Sequence, residues 1–198
     1  MYALGGVVLS GAVAVLYTSD PSLFLLSLLP LGFFCLIYVY YAARISEYLG
    51  HKTYINSEEL LRRAIRAFVL MVILIALSVV SLRYVPYVGP LLALLFSLLA
   101  LMAGTIIAVD GTSIFFALRA ASALLAGKAP SIAEFLILSF LLFLPIVILD
   151  VYGGWFGSLL SLGLLMFLVV PWLSAELTLI YLSKYPLVER ALRKLERI

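Results

Sequence analysis

Three features of the sequence predict an all-α fold, a polytopic integral membrane protein of six transmembrane helices with cytoplasmic amphipathic helices. The composition is far from that of a soluble domain, with 66% hydrophobic and 12% charged residues in 198 and a mean hydropathy of +1.24. The apolar residues gather in six long runs, each near the ~20 residues a helix needs to cross a hydrocarbon layer roughly 30 Å thick. Charge is sorted between alternate connections, as in chains that cross a membrane repeatedly. Long unbroken runs imply helices rather than a barrel, because crossing backbone must satisfy its own hydrogen bonds.

The spans fall at about 2–18, 22–43, 64–82, 87–109, 132–150 and 155–182, within one membrane domain covering 1–198. The first run has no basic leader and is followed by Thr18-Ser19-Asp20 rather than by a cleavage site, so it reads as a span. One side of the predicted topology receives twelve of the 13 basic residues, among them Arg44, Lys52, Arg62, Arg63, Arg66, Arg119, Lys128 and Lys184, and the other side only Arg83. The basic side is therefore expected to be cytoplasmic, with both termini there, in a cell (plasma) membrane protein. The opposite turns are short and rich in proline and glycine, and Tyr84, Tyr87, Tyr152 and Trp155 flank them as an aromatic belt would.

The cytoplasmic segments carry helical signals of their own. Asn56 followed by Glu59 resembles a capping box, so the third span is expected to start before the membrane. Thr112 or Ser113 should cap a helix through Ala126, ended by Gly127 with Pro130 beyond, too short to cross and therefore interfacial. The tail, 183–198, sets Leu187, Val188, Ala191, Leu192 and Leu195 against Arg190, Arg193, Lys194 and Arg197, the pattern of a basic amphipathic helix. Arg44, Arg119 and Arg193 recur at offsets of about 74 to 75, which raises a threefold hairpin-plus-helix repeat; chance similarity in a low-complexity sequence is the alternative. Small residues spaced by four, Gly153-Gly157-Ser161 and Ala100-Gly104-Ala108, predict close helix contacts, and Pro30, Pro145 and Pro171 predict kinks. The chain has no glutamine and one asparagine, a depletion that suits a hyperthermophile and equally a membrane interior.

No pattern of reactive residues emerges. Cys35 sits alone in an apolar run, and His51, the one histidine, reads as a solvated loop residue without a metal-ligand spacing. No phosphate-binding glycine loop occurs, and no cofactor is expected. A net charge of +3 is too small to point to nucleic acid. The acids Asp20, Asp110, Asp150 and Glu134 fall at span ends, where water is near. Glu176 is the acid most enclosed by apolar sequence, and the candidate polar site is Glu176 and Asp110 with Arg119, Arg62 and Arg66. Glu176 is expected to face inward onto an arginine, beside a backbone carbonyl that Pro171 frees near Phe167.

Asp110-Gly111, Ala117-Leu118-Arg119, Ser122 and Gly127, followed by two spans with Pro171 late in the second, give the segment Gly104–Tyr181 its likeness to known sequences. It resembles a loose superfamily of six-helix membrane proteins, largely uncharacterised, that includes the membrane domain of some glycerophosphodiester phosphodiesterases. The resemblance implies fold more than activity, because the catalytic barrel of those enzymes has no counterpart here. It also implies a setting among lipids. The expected role is a non-enzymatic one, with membrane lipids as ligands or a membrane or cytoplasmic protein as partner. A small transporter or permease subunit is the alternative, and an unrecognised intramembrane enzyme the third.

The topology is tested by cysteine labelling in intact cells. A cysteine at Asp20 should react with a membrane-impermeant reagent and one at Lys52 should not; the reverse pattern contradicts the orientation.

Overall fold

A computed structural model describes residues 21–51, 55–85, 87–127 and 129–195. Among them every regular element is helical. These are α1 (Pro21–Tyr48), α2 (Ser57–Tyr84), α3 (Gly89–Asp110), α4 (Ile114–Gly127), α5 (Ala129–Tyr152), α6 (Gly154–Leu164), a π turn (Leu165–Val169) and α7 (Val170–Leu195). The helix α6, the π turn and α7 follow one another without a break, so the described residues form six rods. Gly89–Asp110 and Leu165–Ser183 are long and apolar enough to cross a membrane, and Ile114–Ala126 and Ala133–Leu149 are shorter apolar helices. The predicted span at 2–18 lies outside the described residues.

The helix ends follow local chemistry. Asn56 caps α2, its side-chain oxygen accepting the Glu59 N–H at 2.8 Å, an arrangement worth about 1 kcal/mol. The predicted box is only half built, since the Glu59 carboxylate turns instead to Arg63. Ser113 starts α4, accepting the Ala117 N–H on its carbonyl. Pro171 cannot donate to the carbonyl one turn back, and the helix answers by widening: Val170 donates to Leu165 across the π turn, five residues back.

α1 runs past its predicted end at 43 to Tyr48, and α7 past 182 to Leu195. The tail is thus continuous with the last span. Arg44 and Arg193 lie in the ends of α1 and α7, while Arg119 lies in the separate helix α4, so the second unit of the suggested repeat differs at this point from the first and third.

α3 is the central rod. Ala100 and every residue from Met102 to Val109 are buried, enclosed by α1, α2, α4 and α7. The predicted small-residue faces permit this. A Cβ on Gly104 would stand 3.2 Å from the Met71 methyl, and Ala42, Ala64, Ala67 and Ala108 meet where α1, α2 and α3 cross. Tyr38, Thr105 and Ser174 are paired with one another in this core: the Tyr38 hydroxyl lies 2.5 Å from Thr105 Oγ1, and Ser174 donates to the Tyr38 carbonyl at 3.0 Å. Short α4 packs through Ala117, Ala120, Ala121 and Leu124 and turns Phe115 and Arg119 outward.

The outer surface of α2 is an apolar stripe. Leu61, Ile65, Val69, Ile73, Leu77 and Val80 recur one turn apart, all exposed, over a length of roughly 29 Å at 1.5 Å per residue. Tyr84, Tyr87 and Tyr152 are also exposed, next to the short turns that follow α2 and α5.

The turn between α5 and α6 depends on glycine. Gly153 donates to Leu149, and a Cβ on Gly157 would collide with that same carbonyl. Gly157→Ala should therefore lower stability in detergent by about 1–3 kcal/mol. Gly163→Ala, where nothing lies within 4 Å, should leave it unchanged. Equal melting temperatures for the two variants would contradict this packing.

Candidate functional site

A cluster of polar residues forms where α3 ends. Its last turn leaves carbonyls without helical partners, and its cap is Gly111, left-handed at φ 68°. Arg63, reaching across from the buried face of α2, donates from Nη1 to the carbonyls of Ala108 at 2.7 Å and Val109 at 2.9 Å. Arg66, one turn along α2, donates to the Gly111 carbonyl at 2.7 Å. The Arg63 Nε is held by Glu59 at 3.0 Å. A Cβ at Gly111 would stand 2.9 Å from the Arg63 guanidinium, so glycine is needed there for space as well as for its backbone angle.

Asp110 draws in the middle of α7 and a residue that follows α1. The Tyr181 hydroxyl of α7 donates to Asp110 Oδ2. His51 Nε2 lies 3.5 Å from Oδ1. The histidine is delivered by the way α1 stops: His51 N–H reaches the Ser46 carbonyl and Gly50 N–H the Glu47 carbonyl, with Gly50 left-handed at φ 71°, a Schellman ending. The expectation of a solvated His51 is thereby corrected, for its Nε2 is buried. Asp110, expected near water at a span end, has a side chain only 7% exposed.

Of the other predicted site residues, Arg66 belongs to this cluster and three do not. Arg62 lies on the exposed side of α2 and pairs with Glu58 at 2.5 Å. Arg119 is exposed on α4. Glu176 is half-buried on the flank of α7, whose inward face is Leu173, Ser174, Leu177, Thr178 and Tyr181. Among the described residues no hydrogen bond or ion pair joins it to Arg62, Arg66 or Arg119. Its expected inward pairing is not formed, because helical phase places its neighbours, not Glu176, toward the core.

Arg63, His51 and Tyr181 escaped the sequence reading. A signal existed for Arg63: it shares the phase of Ala67, Leu70 and Leu74, which Arg62 does not. Gly111, Ala117 and Ser122, on which the expected resemblance rested, cap α3, fill the core and bond to the Leu118 carbonyl, respectively. These are structural duties.

Two further features lie beside the cluster. Glu47 clips the α1–α2 connection, accepting Arg44 Nη1 at 2.6 Å and the Ile55 N–H at 2.5 Å. A groove of about 370 Å³ opens on the side of the bundle. There α1 supplies Leu36, Ile37, Tyr40 and Tyr41, the π turn supplies Met166 and Phe167, and Leu60 closes the α2 side. No protein-family model, curated protein or solved structure matches the chain.

Burial pushes the Glu47 carboxyl up, but the Ile55 N–H and the Arg44 and Arg63 guanidiniums outweigh it and hold it below the ordinary value of 4.5. A depressed carboxyl lends stability that is complete above its unfolded value and is lost as pH falls through the native one. Melting temperature should accordingly decline on acidification below pH 4.5, and Glu47→Gln should flatten that decline. A pH profile unchanged by the substitution would contradict the clip.

Proposed function

We propose that this chain is a multi-pass protein of the cell membrane, crossing six times with both termini in the cytoplasm, and that it binds membrane lipid rather than transforming a substrate. The apolar stripe of α2 supports the membrane setting. Its ~29 Å match a hydrocarbon layer of roughly 30 Å, and a face of that length would be an aggregation liability in water. The sorting of basic residues supports the orientation. The resemblance to the six-helix superfamily, itself a proposal, accords with a setting among lipids.

The groove carries the lipid reading. Its walls are side chains of α1, α2 and the π turn, and its rim residues Leu36, Tyr40 and Phe167 are 39%, 44% and 82% exposed, so it opens sideways toward the lipid. Its volume lies toward the lower end of the ~300–1,000 Å³ of small-molecule sites. A single acyl chain, long and narrow, suits such a slot.

A phospholipid bearing a photoactivatable acyl chain tests this in the detergent-solubilised, delipidated protein. Crosslinks should concentrate on 36–41 and 166–167, and Ile37→Trp, which fills the groove, should remove most of them. Crosslinks spread evenly along the α2 stripe and indifferent to Ile37→Trp would show lipid contact without a site.

A further inference from the structure

We propose that the Glu47 carboxylate sets the separation of two walls of this groove, so that occupancy by an acyl chain and closure of the Glu47 clip strengthen each other. The inference rests on the reading of the groove as an acyl-chain site and adds to it how that site is regulated.

The two oxygens of Glu47 serve different walls. Oε2 accepts Arg44 Nη1 at 2.6 Å, and the Arg44 guanidinium carbon lies 5.5 Å from the centre of the Tyr40 ring, a cation–π distance. Tyr40 in turn meets Tyr41 edge to face, with ring centres 5.5 Å apart, and both residues line the α1 side of the groove. Oε1 accepts the Ile55 N–H at 2.5 Å. Ile55 is buried and is followed by Asn56, the cap of α2, whose carbonyl accepts the Leu60 N–H at 3.0 Å. Leu60 is what α2 contributes to the groove. One carboxylate thus ties Tyr40 and Tyr41 to the turn that carries Leu60.

An acyl chain gains most from a groove whose walls it touches together, because the stabilisation scales with the apolar surface removed from water and contact attraction falls off steeply when one wall recedes. With the clip closed, the α1 wall and Leu60 stand at a separation that a chain can bridge. With it open, the first turn of α2 loses its tie to the end of α1. A ligand that fits the closed arrangement better shifts the equilibrium toward it, and the closed clip raises the affinity for that ligand in return. Acyl-chain occupancy is thereby communicated to the polar end of the bundle, where Glu47 and Ile55 join α1 to α2.

The test uses the full chain, delipidated in non-ionic detergent, and a phosphatidylcholine with a photoactivatable acyl chain, followed by crosslink mapping and hydrogen exchange at the Ile55 amide. In wild type the lipid should crosslink to 36–41 and 166–167 and slow Ile55 exchange about tenfold, a usual size for coupling between sites, while the amides of α4, which does not line the groove, should not change. Glu47→Ala should weaken lipid binding about tenfold without moving the crosslinks; Glu47→Gln, which keeps an acceptor for the Ile55 N–H but not the ion pair, should fall between. Gly157→Ala, a destabilising change away from the groove, should bind lipid as wild type does. Absence of crosslinks from 36–41 and 166–167 would overturn the lipid reading itself. Groove crosslinks with Ile55 exchange unchanged, or slowed no more than that of α4, would leave an acyl-chain site and overturn the coupling, as would wild-type affinity in Glu47→Ala or an equal loss in Gly157→Ala. The Ile55 comparison is made on wild type and decides the point even if Glu47→Ala does not fold.

Discussion

A helix that ends inside a protein leaves backbone carbonyls that water cannot reach, and α3 is such a helix. Its C-terminal half is buried on all sides, so donors for Ala108, Val109 and Gly111 must come from neighbouring helices. Arg63 and Arg66 supply them. Their positive charge also lies at the negative end of the α3 dipole, a placement worth about 0.3–1 kcal/mol at a surface and up to ~2 kcal/mol when partly buried. Each further contact follows from this constraint. Glu59 balances the Arg63 charge, Asn56 sets the turn that carries Glu59, and Gly111 keeps its α-carbon bare so that the guanidinium fits.

The same junction organises the remaining helices. Asp110 takes Tyr181 from α7 and His51 from the end of α1. Four helices are thereby fixed in register at one level. On the side of the bundle, the π turn that Pro171 demands places Met166 and Phe167 opposite Leu36 and Ile37, and the groove is the space left between them. A local backbone defect, one proline without an N–H, thus shapes the candidate lipid site. In contrast, Glu47 and Arg44 hold the connection beside that site through ordinary ion-pair chemistry.

Element types and most boundaries were legible because hydropathy and punctuation are strong local signals. Asn56 before α2 and Gly127 at the end of α4 each stand where the sequence puts them. Hydropathy could not see the polar end of α1, where Arg44 and Glu47 continue the helix to a glycine ending. Asp110 was legible as an acid at a boundary, but its partners come from α1 and α7, distant in sequence. Arg62 was preferred to Arg63, and Glu176 to its inward neighbours, for want of a phase fixed by the buried residues of each helix. The groove left no trace in the sequence at all, since it depends on the spacing of α1 from the π turn.

The account depends most on Arg63 as the donor that ends α3, and reversible unfolding of Arg63→Met in detergent tests it most directly. Removal of one member of a buried charged network costs about 3–5 kcal/mol, and Arg63→Met should show a loss of that order, with Arg63→Lys restoring only part of it. A variant Arg63→Met within about 0.5 kcal/mol of wild type, the range of inconsequential surface changes, would contradict the account.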